Sequence, residues 1–171
     1  DLENSLVEDW EITMVDTGEQ TLKGARIHKI AKYIDDDFMI TYGDGMSDID
    51  INSLVSFHKK HGKIATMTGV SPRSSYGQIT AEDGKVLDFI EKPKFDEGVV
   101  NGGFFIFQKK FFDYLNPNDD CDFEIGPLEQ LTKEGQLMVY HHKGDWICMD
   151  TYRDSVFLNN LWKKGQAFWK A

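Results

Sequence analysis

The tripeptide Gly43-Asp44-Gly45 follows directly on the apolar run Phe38-Met39-Ile40-Thr41-Tyr42. Such a run reads as a buried strand, and the glycines permit a sharp turn with close backbone approach at its end. Asp44 therefore stands at the carboxyl edge of a sheet, where open α/β sheets bind their ligands. A carboxylate placed among phosphate oxygens serves to hold a hard cation, Mg2+. Taken alone, Gly-Asp-Gly is equally an ordinary turn.

Other chemistry-bearing residues read more simply. Asp48-Ile49-Asp50 has the Asp-x-Asp form that metal-dependent glycosyltransferases use. Here it precedes an apolar-periodic helix, so capping is the better reading. His58-Lys59-Lys60-His61 closes that helix, where cations favour the dipole without any metal. His141 and His142 alternate faces of a strand and do not easily share one ion. Cys121 and Cys148 form neither a metal-ligand pattern nor a disulfide framework, which suits a reduced cytosolic compartment.

The elements that must position these groups alternate between strand and helix character, which predicts an α/β fold. Glu11–Val15 reads as a first strand, followed by a turn at Asp16-Thr17-Gly18. Ile27, Ile30, Ala31 and Ile34 recur at helical spacing. A second helix begins near Asp50, with Leu54, Val55 and His58 on one face, and Lys63–Val70 is a strand. Tyr76–Thr80 and Val86–Ile90 flank Asp83-Gly84, a hairpin signal. Val99–Phe107 is a strand interrupted by Gly102-Gly103, either a bulge or a place where a ligand meets the backbone. A helix over Phe123–Glu134 takes Asp122 as its N-cap. Leu137–His141 is a strand, and a last helix opens at Asp150 or Thr151, with Asp154 completing a capping box. Phe104–Phe107 with Phe111 and Phe112 reads as core or subunit interface.

A chain of 171 residues, 40% of them hydrophobic, can bury one proper core, so residues 1–171 are expected to form a single domain. The net charge of -10 argues against a nucleic-acid partner, although it leaves room for a nucleotide substrate met by a cation and a few placed basic residues. No apolar run is long enough to span a membrane, and the start does not read as a secretory signal.

Four segments in order, Val15-Asp16-Thr17-Gly18 with Gly24-Ala25-Arg26, Thr41-Tyr42-Gly43-Asp44-Gly45, Phe89-Ile90-Glu91-Lys92-Pro93 with Val100-Asn101-Gly102-Gly103-Phe104-Phe105, and Trp146-Ile147-Cys148-Met149-Asp150-Thr151, resemble the sugar-1-phosphate nucleotidyltransferases, and within them the glucose-1-phosphate cytidylyltransferases. The resemblance runs from about residue 10 to the C-terminus. It implies a Rossmann-like mixed-sheet fold and transfer of a cytidylyl group from CTP to glucose 1-phosphate, giving CDP-glucose and pyrophosphate for polysaccharide or O-antigen assembly. It implies Mg2+ held by Asp44 and Asp150, although Asp150 taken locally is also a helix N-cap. It implies sugar-phosphate binding by Lys92, Glu91, Gly77, Asn101 and Gly102, and nucleotide contacts by Thr21, Arg26 and Gly43. This chain has Lys23 and Ala25 where the family more often has Thr and Gly. The family's opening strand and Gly-Thr-Arg loop with its lysine find no match. The resemblance thus implies the C-terminal two thirds of such an enzyme, N-terminally incomplete, poorly active or inactive alone, and homo-oligomeric when whole. A relative that uses dTTP or UTP, a glycosyltransferase working through Asp48 and Asp50, and a non-catalytic sugar-phosphate binder are the competing readings.

Overall fold

The computed structural model describes residues 10–72, 77–91 and 98–170. The apolar run before Asp44 forms β1, Phe38–Thr41, which turns at Gly43-Asp44 into a short strand β2, Gly45–Ser47. The lysine-flanked run that follows the second helix forms β3, Ala65–Val70, and the glycine-interrupted run forms β6, Val100–Phe107. Between them lies a hairpin, β4 Gln78–Glu82 and β5 Lys85–Ile90, turning at Asp83-Gly84 with both residues at positive φ, as a tight hairpin turn requires. β7 spans Leu137–His141 and β8 spans Trp146–Cys148.

A four-stranded mixed sheet takes the order β1-β6-β3-β7, with β6 antiparallel to both its neighbours and β3 parallel to β7. β6 is central, and Phe105 and Phe107 are buried together on one of its faces. That face carries helix α1, Lys23–Lys29, through Ala25 and Ile27, and helix α3, Pro127–Lys133, through Leu128 and Leu131. A 3-10 segment, Lys109–Tyr114, adds Phe111, whose ring stacks on Phe107 at 3.9 Å between centroids. The aromatic run is therefore core.

Helix α2, Ile51–His61, is capped by Asp50, whose carboxylate accepts from Ser53 N–H at 3.1 Å. It meets the sheet through a buried polar chain. Lys63 N–H donates to His61 Nδ1 at 2.9 Å, so the His61 Nε2 hydrogen donates to Thr66 Oγ1, and the Thr66 hydroxyl donates to His58 Nδ1, both at 2.7 Å. This leaves the His58 Nε2 hydrogen facing Asp37 at 3.9 Å. His58 and His61 are thus committed to the fold. Helix α4, Tyr152–Lys163, opens with the expected capping box between Thr151 and Asp154.

Several elements depart from sequence expectation. Residues 11–15 alternate like a strand but form none, because no neighbouring strand among the described residues pairs with them, and a strand is stable only within a sheet. Helix α3 starts at Pro127 rather than near Phe123: Gly126, at φ 95, breaks the path, and Pro127 is pre-shaped for a first helical position. Asp122 caps no helix and instead accepts from Glu124 N–H at 3.1 Å. Asp48 is likewise no cap. Its carboxylate accepts from His142 Nε2 and from Asp145 N–H, each at 2.8 Å.

Candidate functional site

β2 and β8 form a separate antiparallel ribbon in the register Gly45↔Cys148, Met46↔Ile147, Ser47↔Trp146. One further bond, Met149 N–H to Asp44 O at 2.8 Å, carries the pairing past the end of β2. Asp44 therefore lies beside the Cys148–Asp150 stretch, although the two are far apart in sequence. The far end is held by Asp48, and the ribbon is tied to the main sheet where Trp146 Nε1 donates to Gly102 O at 2.8 Å. Because side chains alternate along a strand, a one-residue slip in this register would turn Cys148 to the opposite face.

The outcome is a cluster of Asp44, Cys148 and Asp150 whose ligand-type atoms all lie within 4.8 Å of one another. The Cys148 thiol donates to Asp150 Oδ1 at 3.2 Å. Burial, then Asp150, then Asp44, push that thiol up to about 12, so the free site holds its proton. Among the described residues neither carboxylate has an ion-pair partner. Two like charges this close favour a cation between them. The two carboxylates fit a hard divalent cation, which takes one or two protein carboxylates and completes its shell with water or phosphate oxygens.

The neighbouring residues are set by the kink in β6. Register between β3 and β6 shifts between Met67 and Gly69, and Gly103 sits at φ 78. A side chain at Gly103 would lie 2.8 Å from the Tyr42 ring, and one at Gly102 would lie 2.7 Å from Val70 Cγ1. Gly102-Gly103 is thus a bulge, and its glycines let three segments close on one another beside Asp44. Asn101 accepts from Gly103 N–H at 2.9 Å through its side-chain oxygen and donates to Glu124 Oε1 at 3.0 Å. Glu124 also accepts from the Tyr42 hydroxyl and pairs with Lys23. Burial works to raise the Glu124 pKa, but the donors Lys23 and Tyr42 outweigh it and hold the carboxyl below its usual range. Tyr42 is raised, by burial first and then by its bond to Glu124. This network fixes the residue two places before Asp44. Gly43 itself is exposed, and a Cβ there would meet nothing within 4 Å, so the backbone beside Asp44 is open to a ligand.

The remaining expected residues fall elsewhere. Gly77 and Glu91 sit side by side at the open end of the β4–β5 hairpin, where a Cβ on Gly77 would come 3.1 Å from the Glu91 carboxylate. Lys92 lies outside the described residues. Thr21 and Arg26 come together in a second cluster. Arg26 donates to Thr21 O at 2.7 Å, Thr17 Oγ1 at 2.7 Å and Glu19 O at 3.0 Å. The buried Thr21 hydroxyl bonds Asp119 at 3.1 Å, and Lys29 reaches both of them.

Sequence reasoning missed Cys148 as a member of the acid cluster. β8 ends at Cys148, so Asp150 lies beyond the strand and no alternation pattern in the sequence could have joined the two. Glu124 and Tyr42 gave no local signal, because their partners are distant in sequence.

The profile of the nucleotidyl transferase family matches residues 8–168. A glucose-1-phosphate cytidylyltransferase of Salmonella typhi is 45% identical over 166 residues, covering 96% of this chain and 64% of that protein. The enzyme of the same name from Salmonella typhimurium matches with the same identity and coverage. This chain thus spans 64% of the length of these relatives. Among solved structures, that of HddC from Yersinia pseudotuberculosis superposes with a TM-score of 0.58 at 23% identity, over 81% of this chain and 61% of that one, a likeness of fold.

Proposed function

The chain belongs to the nucleotidyl transferase family, and from that premise we propose that it serves a glucose-1-phosphate cytidylyltransferase, joining CTP and glucose 1-phosphate to give CDP-glucose and pyrophosphate. The observation that carries this reading is the meeting of Asp44 and Asp150 at one end of a ribbon tied to the sheet, in a chain 45% identical to enzymes of that name. The reaction brings two anions together. Charge neutralisation and in-line positioning are what such a site must supply.

Asp44 and Asp150 are the residues that would hold Mg2+, which when bound neutralises and orients phosphate oxygens. The ribbon register and the Tyr42–Glu124–Asn101 network keep the two carboxylates in place. Cys148 donates a hydrogen bond from its thiol to Asp150 and so aims that carboxylate. The open backbone at Gly43 admits the nucleotide phosphates. Glu91, beside Gly77, accepts hydrogen bonds from hexose hydroxyls, and Lys92 pairs with the sugar phosphate. Asn101 and Gly102 shape the floor of the hexose site, since their polar groups are already engaged by Glu124, Gly103 and Trp146. Thr21 and Arg26 act on the nucleotide side by shaping the Thr17–Thr21 loop. The exposed Trp162, with Phe168 and Trp169, offers a surface for self-assembly. Among the described residues no helix is long and apolar enough to cross a membrane, and the reading places the protein in the cytoplasm.

The test is pyrophosphate release from glucose 1-phosphate and Mg2+ with CTP, dTTP or UTP in turn. It is run on this chain and on a fusion carrying the N-terminal third of the Salmonella relative. Release confined to CTP, and abolished by Asp44→Asn, is the expected result. Preference for dTTP or UTP would move the chain to a different branch, and no release from a folded fusion would overturn the enzymatic reading.

A further inference from the structure

The main sheet ends on one side at β7, which bonds to β3 through alternate residues only. Ala65 N–H donates to Gln136 O at 3.0 Å, and His142 N–H donates to Gly69 O at 2.9 Å. In the parallel register between the two strands, the backbone groups of Met138 and Tyr140 therefore face β3, and those of Leu137, Val139 and His141 face outward. Among the described residues no strand and no further backbone hydrogen bond meets that outward row. Such an edge is a template for another strand. The same chain carries an unpaired strand sequence, Glu11-Ile12-Thr13-Met14-Val15, in which Ile12 is 74% and Met14 is 92% exposed. The loop after it is pinned by Arg26 and Lys29, and within one molecule segment and edge do not pair. The sheet's other outer strand, β1, is flanked by Asp35, Asp36, Asp37 and Asp44, so Glu11 and Asp16 would meet like charge there. β7 instead runs into His141, His142 and Lys143, and neither His141 nor Lys143 has an ion-pair partner among the described residues.

We propose that residues 11–15 of one copy of this chain add to the free edge of β7 in a second copy as an antiparallel strand. Thr13 lies opposite Val139, Glu11 opposite His141 and Val15 opposite Leu137, so the outward backbone groups of β7 each receive a partner. Leu137 packs against the core and Tyr140 against Phe57 of α2. Val15 thus extends the core face of the sheet, while Ile12, opposite Tyr140, extends the α2 face. Glu11 meets the uncommitted imidazole of His141, an acid beside a base at the strand end. Main-chain bonds supply the affinity of such strand addition, and the alternating side chains set its register. Two copies that exchange segments reciprocally close both edges in one two-fold assembly, whereas head-to-tail addition leaves one segment and one edge open. The inference stands on strand geometry and charge, whatever reaction the chain serves.

The experiment is sedimentation velocity of this chain at rising concentration, with amide exchange read at Val139 and His141 in the same samples. A shift from monomer to twice the mass is expected, and exchange at both amides should slow by at least about tenfold as the dimer forms. Thr13→Pro removes the central N–H of the added strand at an exposed position, so it should abolish both signals while the circular dichroism of the chain is kept. Glu11→Lys should weaken association, and adding His141→Glu to it should restore association. A chain that stays monomeric, or a dimer that survives Thr13→Pro, overturns the proposal. Protection of Val139 that does not depend on concentration would mean that the segment folds onto its own edge, which also overturns it. Association lost in Trp162→Ala but kept in Thr13→Pro would assign the contact to the C-terminal aromatics instead.

Discussion

Arg26 gives hydrogens to Thr21 O, Thr17 Oγ1 and Glu19 O, and Lys29 closes the same loop through Thr17 O, Thr21 Oγ1 and Asp119. Asp44 and Asp150, by contrast, meet one thiol and no cation among the described residues. Both clusters are polar, both sit beside the start of a helix or strand, and both were expected to touch substrate. The first spends its donors on its own loop, Arg26 on neutral oxygens and Lys29 on Asp119, and holds that loop in shape. The second leaves like charges adjacent and acceptors open, a condition that lowers stability unless an ion is added. The difference separates scaffold from site more sharply than residue type does.

The comparison breaks first at the acid pair. Replacing Asp44 or Asp150 with Asn should weaken divalent-cation binding by at least roughly a hundredfold, beyond the range for outer-sphere changes. The melting temperature of the cation-free chain should hold or rise. Calorimetric titration with Mn2+ and a thermal melt check both halves, and a fall in stability would place the pair with the scaffold instead.

Arg26→Ala is the mirror experiment. It removes three bonds to the Thr17–Thr21 loop and should cost about 2 kcal/mol of stability, at about 1 kcal/mol or less per bond after solvent competition. Cation binding at Asp44 should be untouched. A stability change near zero, joined to a large rise in KM for CTP in the active fusion, would instead make Arg26 a direct substrate contact.

Tyr42→Phe probes the junction between scaffold and site. Glu124 keeps Lys23 and Asn101, so the cost should be about 1 kcal/mol in urea unfolding. Since Tyr42 precedes Gly43-Asp44, a small loss of cation affinity should accompany it. Glu124→Leu, which strands three donors, should do more on both measures.

The smallest effect is a pH dependence far from either cluster. Burial lowers the pKa of His58 below its ordinary 6.5, with Asp37 opposing. As pH falls through that value the unfolded chain takes up a proton that the folded chain refuses, so stability declines. The decline levels off once the folded ring is protonated as well. Denaturation midpoints between about pH 7.5 and 5.5 should show a shallower slope for His58→Gln than for the parent, and equal slopes would remove His58 from the account.

Local pattern was a sound guide wherever a segment could be judged without its neighbours. The capping box of Thr151 and Asp154, the Asp50 cap, the Asp83-Gly84 hairpin turn and the Gly102-Gly103 bulge all depend on backbone conformations that particular residues favour. Residues 11–15 failed because a strand is defined by a partner, and Asp122 failed because Gly126-Pro127 downstream chose the helix start. Asp48 fell to a different rival. A histidine and an amide from residues 142–145 claimed its carboxylate before α2 could.

The sequence by itself determined the alternation of strand and helix, the aromatic run that became the core, and the family to which the chain belongs, since each is written in short-range pattern. Only the tertiary structure decided that Cys148 joins Asp44 and Asp150, that Glu124 underpins Tyr42, and that Arg26 is turned inward onto its own loop. Those outcomes depend on strand register and on competition among distant donors and acceptors, and neither quantity exists until the chain has closed on itself.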